Sequence, residues 1–510
     1  MSSGSTIHEL LQTGSDERKA IAGLDRPDLD FLELRKLVSR TGETLNELGI
    51  GRNDRVAIVL PNGPEMAAAF VAVAASATTA PLNPAYTQEE YDFYLTDLNA
   101  RALLVEKGSD SPAIAAAQAR DIQLLELSTP AEAPAGLFTI DAEAGDRPLR
   151  HENRGMAGPD DIALILHTSG TTSRPKIVPL SHRNVCASAA NIQDTLQLVQ
   201  QDVCLNIMPL FHIHGLMAAV LATLGKGASV WCSPGFDALR FFSWLDQAKP
   251  TWYTAVPTMH QAILARAKRN REIVEKSGLR FIRSSSSALP PQVLHELERT
   301  FNVPVIEAYA MTEASHQMTC NQLPPGIRKP GTVGCAAGPE VAIMDEVTAD
   351  LLPQGETGEI VIRGANVTLG YENNPAANEA CFVNGWFRTG DQGVMDEDGY
   401  LSITGRLKEI INRGGEKISP REVDDVLMDH AAVQQVVTFA IPHKSLGEDV
   451  AAAVVLKEGE SADEAAIRAF AAERLASFKV PRKILILDEI PKGATGKLQR
   501  IGLAEKLGLA

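Results

Sequence analysis

The chain has 510 residues, which is too long for one small module and enough for two or more domains with hydrophobic cores. Hydrophobic residues make up 45% and charged residues 22%, a balance that excludes a disordered or fibrous protein. Lys plus Arg number 48 against 64 Asp plus Glu, and the formal net charge of −16 makes nucleic acid an unexpected partner. An anionic substrate would need local cations, helix N-termini or backbone amides.

The cysteines and the chain ends bear on the cellular compartment. Six cysteines are scattered without a Cys-x-x-Cys pair, which fits neither a disulfide scaffold nor a zinc site. Residues 1–10 lack the basic start and apolar core of a signal peptide, no window reaches the roughly 18 apolar residues of a membrane span, and the final residues are not Ser-Lys-Leu. We therefore expect a cytoplasmic protein without membrane contact, as a monomer or weak homodimer.

From about residue 32 onward, apolar runs that are typical of strands alternate with helical stretches. This rhythm predicts parallel βα units in one large α/β domain, with a buried Ala-rich helix at 67–80. The predicted strands lie within 55–65, 100–108, 161–170, 203–211, 227–234, 252–258 and 279–287.

Beyond Gly358 the sequence pattern changes to short predicted strands separated by Gly and Asp turns, which indicates a small β-rich subdomain. After Gly405, a helix at 464–475 and strand-like runs on both sides of it read as a separate α+β unit of about a hundred residues. We predict an N-terminal domain over residues 1–405 and a smaller, mobile C-terminal domain over residues 406–510.

The most informative segment runs from Thr168 to Lys176 and reads Thr-Ser-Gly-Thr-Thr-Ser-Arg-Pro-Lys directly after an apolar strand. Hydroxyls, a flexible glycine and a lysine suit a loop that wraps a polyphosphate. The Walker spacing GxxxxGK[ST] occurs nowhere in the chain. Taken alone, the segment could also be a solvated surface turn.

This segment resembles the phosphate-loop signature of the adenylate-forming superfamily, which includes acyl-CoA synthetases, luciferases and the adenylation domains of peptide synthetases. Ser173 stands where that signature usually has glycine. Six further motifs follow in the family's order, so the resemblance covers about residues 25–500. They are Pro-Leu-Phe-His-Ile-His-Gly at 209–215, Tyr-Ala-Met-Thr-Glu at 309–313, Gly-Glu-Ile at 358–360, Arg-Thr-Gly-Asp at 388–391, Gly-Arg-Leu-Lys-Glu at 405–409 and Pro-Lys-Gly-Ala-Thr-Gly-Lys at 491–497.

The resemblance implies that ATP activates a carboxylic acid as an acyl-adenylate. Thr312 would contact the α-phosphate and Glu313 would bind Mg²⁺, while Lys497 would stabilise charge that develops in the transition state, and His212 joins this catalytic set. As an isolated pair, Thr-Glu is more often a helix cap. The expected nucleotide contacts are Thr168, Ser169, Gly170, Thr171, Thr172, Lys176, Ser287, Ala288, Glu307, Ala308, Tyr309, Thr312, Asp391, Arg406 and Lys497.

A second set of residues is expected to serve coenzyme A. Lys408 matches the family's hinge position, where a few dihedral angles absorb a domain rotation. The rotation would bring the segment from Arg413 to Lys417 to the site, with Gly414, Gly415 and Glu416 between them. Gly415 would allow a pantetheine arm to pass closely, and Lys417 would offer a polar contact.

The acid is chosen by residues that vary within the superfamily. His212, Ser286 and His316 are expected to make a small polar pocket, and His214 is close enough in sequence to take the role of His212. Ser286 replaces a usual glycine, and a helical offset of three or four residues would place His316 on the face of Glu313. Each histidine alone is more often a packed core residue. Together they could hold a second carboxylate.

The strings Arg-Ser-Ser-Ser-Ser-Ala-Leu at 283–289 and Glu-Ala-Tyr-Ala-Met-Thr-Glu-Ala-Ser-His at 307–316 resemble the oxalate–CoA ligases of this superfamily most. This resemblance implies an AMP-forming ligase that makes oxalyl-CoA, AMP and pyrophosphate from oxalate, ATP and CoA. Three alternatives remain open: a CoA ligase for another short-chain or aromatic acid, an enzyme that loads a carrier protein, and a nucleotide sensor without catalysis.

Overall fold

A computed structural model describes residues 4–130, 132–142, 153–168, 175–491 and 498–509. Contacts divide the chain into a large unit, residues 1–341 with 362–387, and a smaller unit, residues 342–361 with 388–510. Among the described residues, no helix is long and apolar enough to span a bilayer.

Two mostly parallel sheets form the frame of the large unit. The nine-stranded sheet has the order β16-β15-β14-β13-β12-β10-β11-β1-β2, and the seven-stranded sheet has the order β7-β6-β5-β3-β4-β8-β9. Their strands are β1 Lys19–Gly23, β2 Leu29–Asp30, β3 Arg55–Val59, β4 Thr78–Pro81, β5 Ala102–Glu106, β6 Gln123–Ser128, β7 Thr139–Asp141, β8 Ile162–Thr168, β9 Lys176–Ser181, β10 Val203–Asn206, β11 Ser229–Cys232, β12 Trp252–Ala255, β13 Phe281–Ser285, β14 Val305–Met311, β15 His316–Cys320 and β16 Cys335–Ala336.

Helices cover the faces of both sheets. Their residues are α1 Ile7–Leu10, α2 Phe31–Glu47, α3 Pro64–Ala74, α4 Gln88–Asp97, α5 Pro112–Gln118, α6 His182–Thr195, α7 Ala222–Gly225, α8 Phe241–Ala248, α9 Pro257–Ala267, α10 Arg271–Lys276, α11 Pro291–Phe301 and α12 Pro375–Cys381, with a π-helix at His214–Leu221 and 3₁₀ turns at Lys268–Asn270 and Thr312–Ala314. Parallel strands under helices follow from apolar runs that alternate with helical stretches, so the predicted α/β class is confirmed.

The Ala-rich segment differs in part from the prediction. Helix α3 ends at Ala74, and Thr78–Pro81 form strand β4 instead of continuing the helix. Every residue of α3 from Met66 to Ala74 is buried, because the helix packs against β4 of one sheet and β1 of the other. Small alanine side chains permit this close approach on all sides.

The smaller unit carries the C-terminal α+β fold that the sequence predicts. Strands β22, β23, β24, β25 and β26 form one sheet, with α13 and α14 contributing to its hydrophobic core. The remaining elements of the chain are β17 Glu340–Met344, β18 Thr357–Arg363, β19 Phe382–Val383, β20 Trp386–Met395, β21 Leu401–Arg406, the 3₁₀ turn Leu407–Glu409, β22 Ile411–Arg413, β23 Glu416–Ile418, α13 Pro420–Met428, β24 Val433–His443, β25 Gly447–Leu456, α14 Glu464–Ala472, β26 Lys483–Ile486 and α15 Leu503–Lys506. The division at residue 405 stays a prediction, since the contact-based units place residues 342–361 and 388–405 with the smaller unit.

Candidate active site

Polar side chains gather where parallel strands of the nine-stranded sheet end. Strands β12, β13 and β14 run parallel and end at Ala255, Ser285 and Met311. Because the carboxyl ends of parallel strands meet at one edge, Ser286 and Thr312 emerge at the same edge of the sheet. Ligands of open α/β sheets bind in crevices at such edges.

His214, Ser286 and His316 lie together in the large unit. The His214 Nδ1 atom is 3.0 Å from the Ser286 hydroxyl, and the His214 and His316 rings stack with centroids 5.0 Å apart. Both imidazoles are buried, while Ser286 is half-buried. His212, also half-buried, lies beside the ring of Phe211. Of the two candidate histidines, His214 is therefore the one bonded to Ser286.

A π-helix brings His214 into the interior. It spans residues 214–221, and π-helical turns are frequent at functional sites. Gly215 is required on steric grounds, because a Cβ atom there would lie 2.5 Å from the Pro209 carbonyl oxygen. This close approach of backbones seats the first turn of the π-helix against the preceding loop.

His316 reaches the cluster by a different route from the one predicted. The expectation of a helical offset from Glu313 is wrong, because Thr312–Ala314 form a single 3₁₀ turn and His316 begins strand β15. The turn into β15 places Ser315 at φ 49° and His316 at φ 102°, conformations that are strained for residues with a side chain.

Two buried side chains hold this strained turn. The Asn366 amide donates to the carbonyls of Ala314 and Gln317, and the Ser188 hydroxyl donates to the Ser315 carbonyl at 2.6 Å. A strained backbone persists only where its surroundings fix it, as these three bonds do. Ser286, directly after β13, also has a positive φ, of 74°. Because glycine adopts such an angle without strain, this geometry explains why glycine is usual at this position.

Glu313 is also buried, and its carboxylate accepts a hydrogen bond from the Tyr371 hydroxyl at 2.7 Å. Burial, and then the neighbouring Glu313, raise the pKa of Tyr371, so the phenol stays protonated and donates. The Lys176 ammonium lies 4.3 Å from the centre of the Tyr371 ring. Tyr371 thus joins two predicted site residues, and the sequence analysis missed it. The signal available was its place at the end of a Gly-rich segment that follows β18.

The other predicted nucleotide residues of the large unit lie along these strands. Thr168 ends β8 and pairs with Lys176, the first residue of β9. Glu307 is buried in β14, and its carboxylate accepts from the Leu289 amide at 2.9 Å. Ala308 and Tyr309 continue the same buried strand, whereas Ser287 and Ala288 are exposed. Ser169, Gly170, Thr171 and Thr172 fall outside the described residues.

In the smaller unit, Asp391 and Arg406 stand opposite each other in the β20–β21 ladder. The Arg406 Nε atom donates to the Asp391 carboxylate at 3.1 Å. Lys408 is exposed in the 3₁₀ turn that follows. Lys497 falls outside the described residues, but Arg500 shortly after it forms salt bridges with Asp424 and Glu409.

Gly414 and Gly415 form the two-residue connection between β22 and β23. Their φ angles are 61° and 101°, as a tight hairpin of this kind requires. Glu416 and Lys417, on the strand that follows, are exposed. The glycines therefore have a conformational reason besides the predicted passage of pantetheine.

A bound Mg²⁺ fits the chemistry of Glu313. Within the described ranges, no group of three or more His, Cys, Asp or Glu side chains could hold a metal ion by itself. A magnesium ion commonly takes one or two carboxylates together with substrate phosphates and water. The buried Glu313 carboxylate is chemically suited to supply one such oxygen ligand.

Known proteins resemble this chain in both sequence and fold. The chain is 45% identical to an oxalate–CoA ligase of Arabidopsis thaliana, over 95% of this chain and 94% of the relative, and 44% identical to one of Saccharomyces cerevisiae, over 89% and 87%. Its fold matches ATP-bound MatB of Rhodopseudomonas palustris with a TM-score of 0.88, at 29% identity and over 98% of both chains. The AMP-binding enzyme family matches residues 12–372 and its C-terminal domain family matches residues 422–497. The chain therefore belongs to the AMP-binding enzymes, that is, to the adenylate-forming superfamily.

Proposed function

We propose that this protein is an ATP-dependent acid–CoA ligase whose acid is oxalate. The observation that supports oxalate as the substrate is the cluster of His214, Ser286 and His316 at the carboxyl edge of the nine-stranded sheet. Three polar groups in so small a space suit a short dianion and not a long acyl chain, because an unpaired buried carboxylate is very costly. The identity of 44–45% to two oxalate–CoA ligases supports the same choice.

The first step joins the acid to the nucleotide. One carboxylate oxygen attacks the α-phosphorus of ATP, the bond to the β-phosphate oxygen breaks, and pyrophosphate leaves with the electron pair. Thr312 would contact the α-phosphate, Tyr309 would face the adenine, and Glu313 would hold the Mg²⁺ that offsets phosphate charge. We assign to Lys497 the role of the cation that stabilises the negative charge developing in the transition state of this step. His212, the other member of the predicted catalytic set, would lie beside the reacting acid.

In the second step the CoA thiol, as thiolate, attacks the acyl carbon and AMP leaves as the thioester forms. The hairpin from Arg413 to Lys417 would meet the pantetheine arm, and Lys408 would be the pivot between the two steps. Asp391 and Arg406 would hold the ribose, for which a carboxylate with two acceptor oxygens suits a vicinal diol. Arg413 is itself fixed by a 2.7 Å bond to Asp449.

The test is acid-dependent exchange between pyrophosphate and ATP with oxalate, acetate, butyrate and benzoate. We expect oxalate to give the highest kcat/KM, followed by CoA-dependent release of AMP. Preference for benzoate or butyrate would favour the alternative ligases. Exchange of pyrophosphate with ATP that is not followed by CoA-dependent release of AMP would favour an enzyme that loads a carrier protein. No exchange with any acid would favour a nucleotide sensor.

His316→Ala tests the pocket within the same assay. Loss of a charge-assisted hydrogen bond should raise the KM for oxalate about tenfold or more. ATP affinity should hardly change, since the substitution is on the acid side. Equal losses with oxalate and butyrate would contradict the assignment of this pocket.

A further inference from the structure

Arg283 is a buried cation directly behind the proposed acid pocket. It belongs to strand β13, is fully buried, and stands opposite Thr254 in the register of β12 and β13. Its NH1 nitrogen lies 3.4 Å from the Thr254 hydroxyl and 3.5 Å from His214 Nε2, and its NH2 nitrogen lies 3.3 Å from the Gln317 side-chain oxygen. None of these three partners is a carboxylate.

Arg283 forms no salt bridge with any carboxylate that the structure describes, and its Nε atom has no hydrogen-bond partner there. The nearest titratable side chains, Cys320 and Cys204, do not supply a counter-charge. Burial raises the pKa of Cys320 to about 11 and raises that of Cys204 well above its usual value, so both thiols are neutral near pH 7. Within the part of the chain that the structure describes, no carboxylate therefore compensates the positive charge of Arg283, which is costly unless an anion binds nearby.

The hydrogen bonds also have a fixed direction. A guanidinium can only donate, so the Thr254 oxygen and His214 Nε2 accept from Arg283. With Nε2 as the acceptor, the Thr254 hydroxyl, 2.7 Å away, is assigned as its donor, and the imidazole proton is assigned to Nδ1, which then donates to Ser286. The hydroxyl proton of Ser286 is left for an acceptor on the acid side.

Gln317 fixes the other end of this arrangement. Its amide nitrogen donates to the Asn191 and Ala337 carbonyls and to the Thr195 hydroxyl, which turns the side-chain oxygen toward Arg283. The guanidinium is thus held from two sides, and its orientation does not depend on a ligand.

We propose that Arg283 is a positioning and specificity-determining residue for the acid: its unpaired charge and its one-way donor chain through Thr254 and His214 make Ser286 a hydrogen-bond donor to a dianionic substrate. This inference rests on the proposed function, because it names the residue that selects a second carboxylate in the same pocket. Arg283 is not a catalytic residue, since it acts on the acid through other side chains.

The test compares Arg283→Met, Arg283→Lys and wild type with oxalate and with acetate, which has a methyl group in place of the distal carboxylate. We expect Arg283→Met to raise the KM for oxalate about tenfold or more while the KM values for ATP and acetate change less than about twofold. Arg283→Lys, which keeps the charge, should restore part of the preference for oxalate. Arg280, three residues before Arg283 in the chain, forms a salt bridge with Asp202. Arg280→Met removes this salt bridge and is the matched control, which should leave selectivity unchanged.

Thr254→Val keeps the proposal testable if Arg283→Met does not fold. Removing this hydroxyl breaks the donor chain, so the KM for oxalate should rise several-fold, and Thr254→Ser should restore it. If Arg283→Met and Thr254→Val both keep the wild-type ratio of kcat/KM for oxalate over acetate, the inference is overturned. If wild type itself does not use oxalate, the proposed function fails instead, which separates the two outcomes.

Discussion

Arg283 and Arg500 are two largely buried arginines in different units, and their surroundings are opposite. Arg500 bridges two carboxylates, Asp424 and Glu409, whereas the hydrogen-bond partners of Arg283 that the structure describes include no carboxylate. Burial lowers the pKa of both guanidinium groups, but the two carboxylates outweigh burial at Arg500 and raise its pKa, while the pKa of Arg283 is lowered. A buried cation paired with carboxylates stabilises the fold, whereas one without a carboxylate partner can favour an anion that binds nearby, acting through the side chains between them.

The same contrast extends to backbone geometry. The acid pocket contains Ser286 and His316 at positive φ, held by bonds from neighbouring elements. Arg500, Asp424 and Glu409, by contrast, all have a negative φ. Strain and an unpaired charge in one place are typical of a functional site, since neither benefits the fold by itself.

The largest effect is expected at Lys497, which lies just before Arg500 in sequence. Lys497→Ala should reduce adenylate formation on the order of 10²- to 10³-fold, because one charge-stabilising group is lost in that transition state. Thioester formation from supplied oxalyl-AMP should be largely retained. Single-turnover assays of both half-reactions measure this, and equal loss in both would mean that Lys497 serves more than the first step.

Arg500→Met should lower stability more than it changes substrate choice. It leaves Asp424 and Glu409 without their cation, and we expect a loss of about 2–4 kcal/mol, below the value for a fully buried pair because Arg500 is partly exposed. Urea unfolding of the full chain measures the loss. The double variant Arg500→Met with Asp424→Leu should recover part of it. If Arg500→Met shifted the oxalate-to-acetate ratio as Arg283→Met does, the contrast between the two arginines would not hold.

Ser286→Gly should separate function from stability in the acid pocket. The KM for oxalate should rise about tenfold, because the last donor of the chain is lost. The free energy of unfolding should stay equal or increase by up to about 1 kcal/mol, since glycine adopts a φ of 74° without strain. Kinetics and urea unfolding on the same preparation check both. A lower stability together with an unchanged KM would contradict this reading of Ser286.

Tyr371→Phe should give the smallest effect. Removing the hydroxyl that donates to Glu313 should raise the Mg²⁺ concentration needed for half-maximal rate by about fivefold, corresponding to roughly 1 kcal/mol. The KM for oxalate should not change. Tyr91→Phe is a matched control, because its buried hydroxyl donates at 2.8 Å to the Asn83 carbonyl and to no predicted site residue. A rise in the magnesium requirement of both variants alike would point to general destabilisation.

The sequence by itself determined the α/β class, most strands of the parallel sheets and the family, because these depend on local patterns and on motifs of fixed spacing. It also named Ser286, His316 and Glu313 as site candidates. It did not anticipate that α3 stops at Ala74, since an alanine run suits a helix until the chain is needed as strand β4 between two neighbours.

Only the tertiary structure decided which side chains meet. His214 replaces His212 beside Ser286 because a π-helix turns it inward, and His316 arrives through a strained turn instead of a helix. Arg283 was visible in the sequence as a charged residue that directly follows the apolar Phe281 and Ile282 of strand β13. Its meaning depends on Thr254, His214 and Gln317, which lie on three other elements of the fold. Contacts between residues far apart in sequence are set by packing and strand register, and no local pattern encodes them.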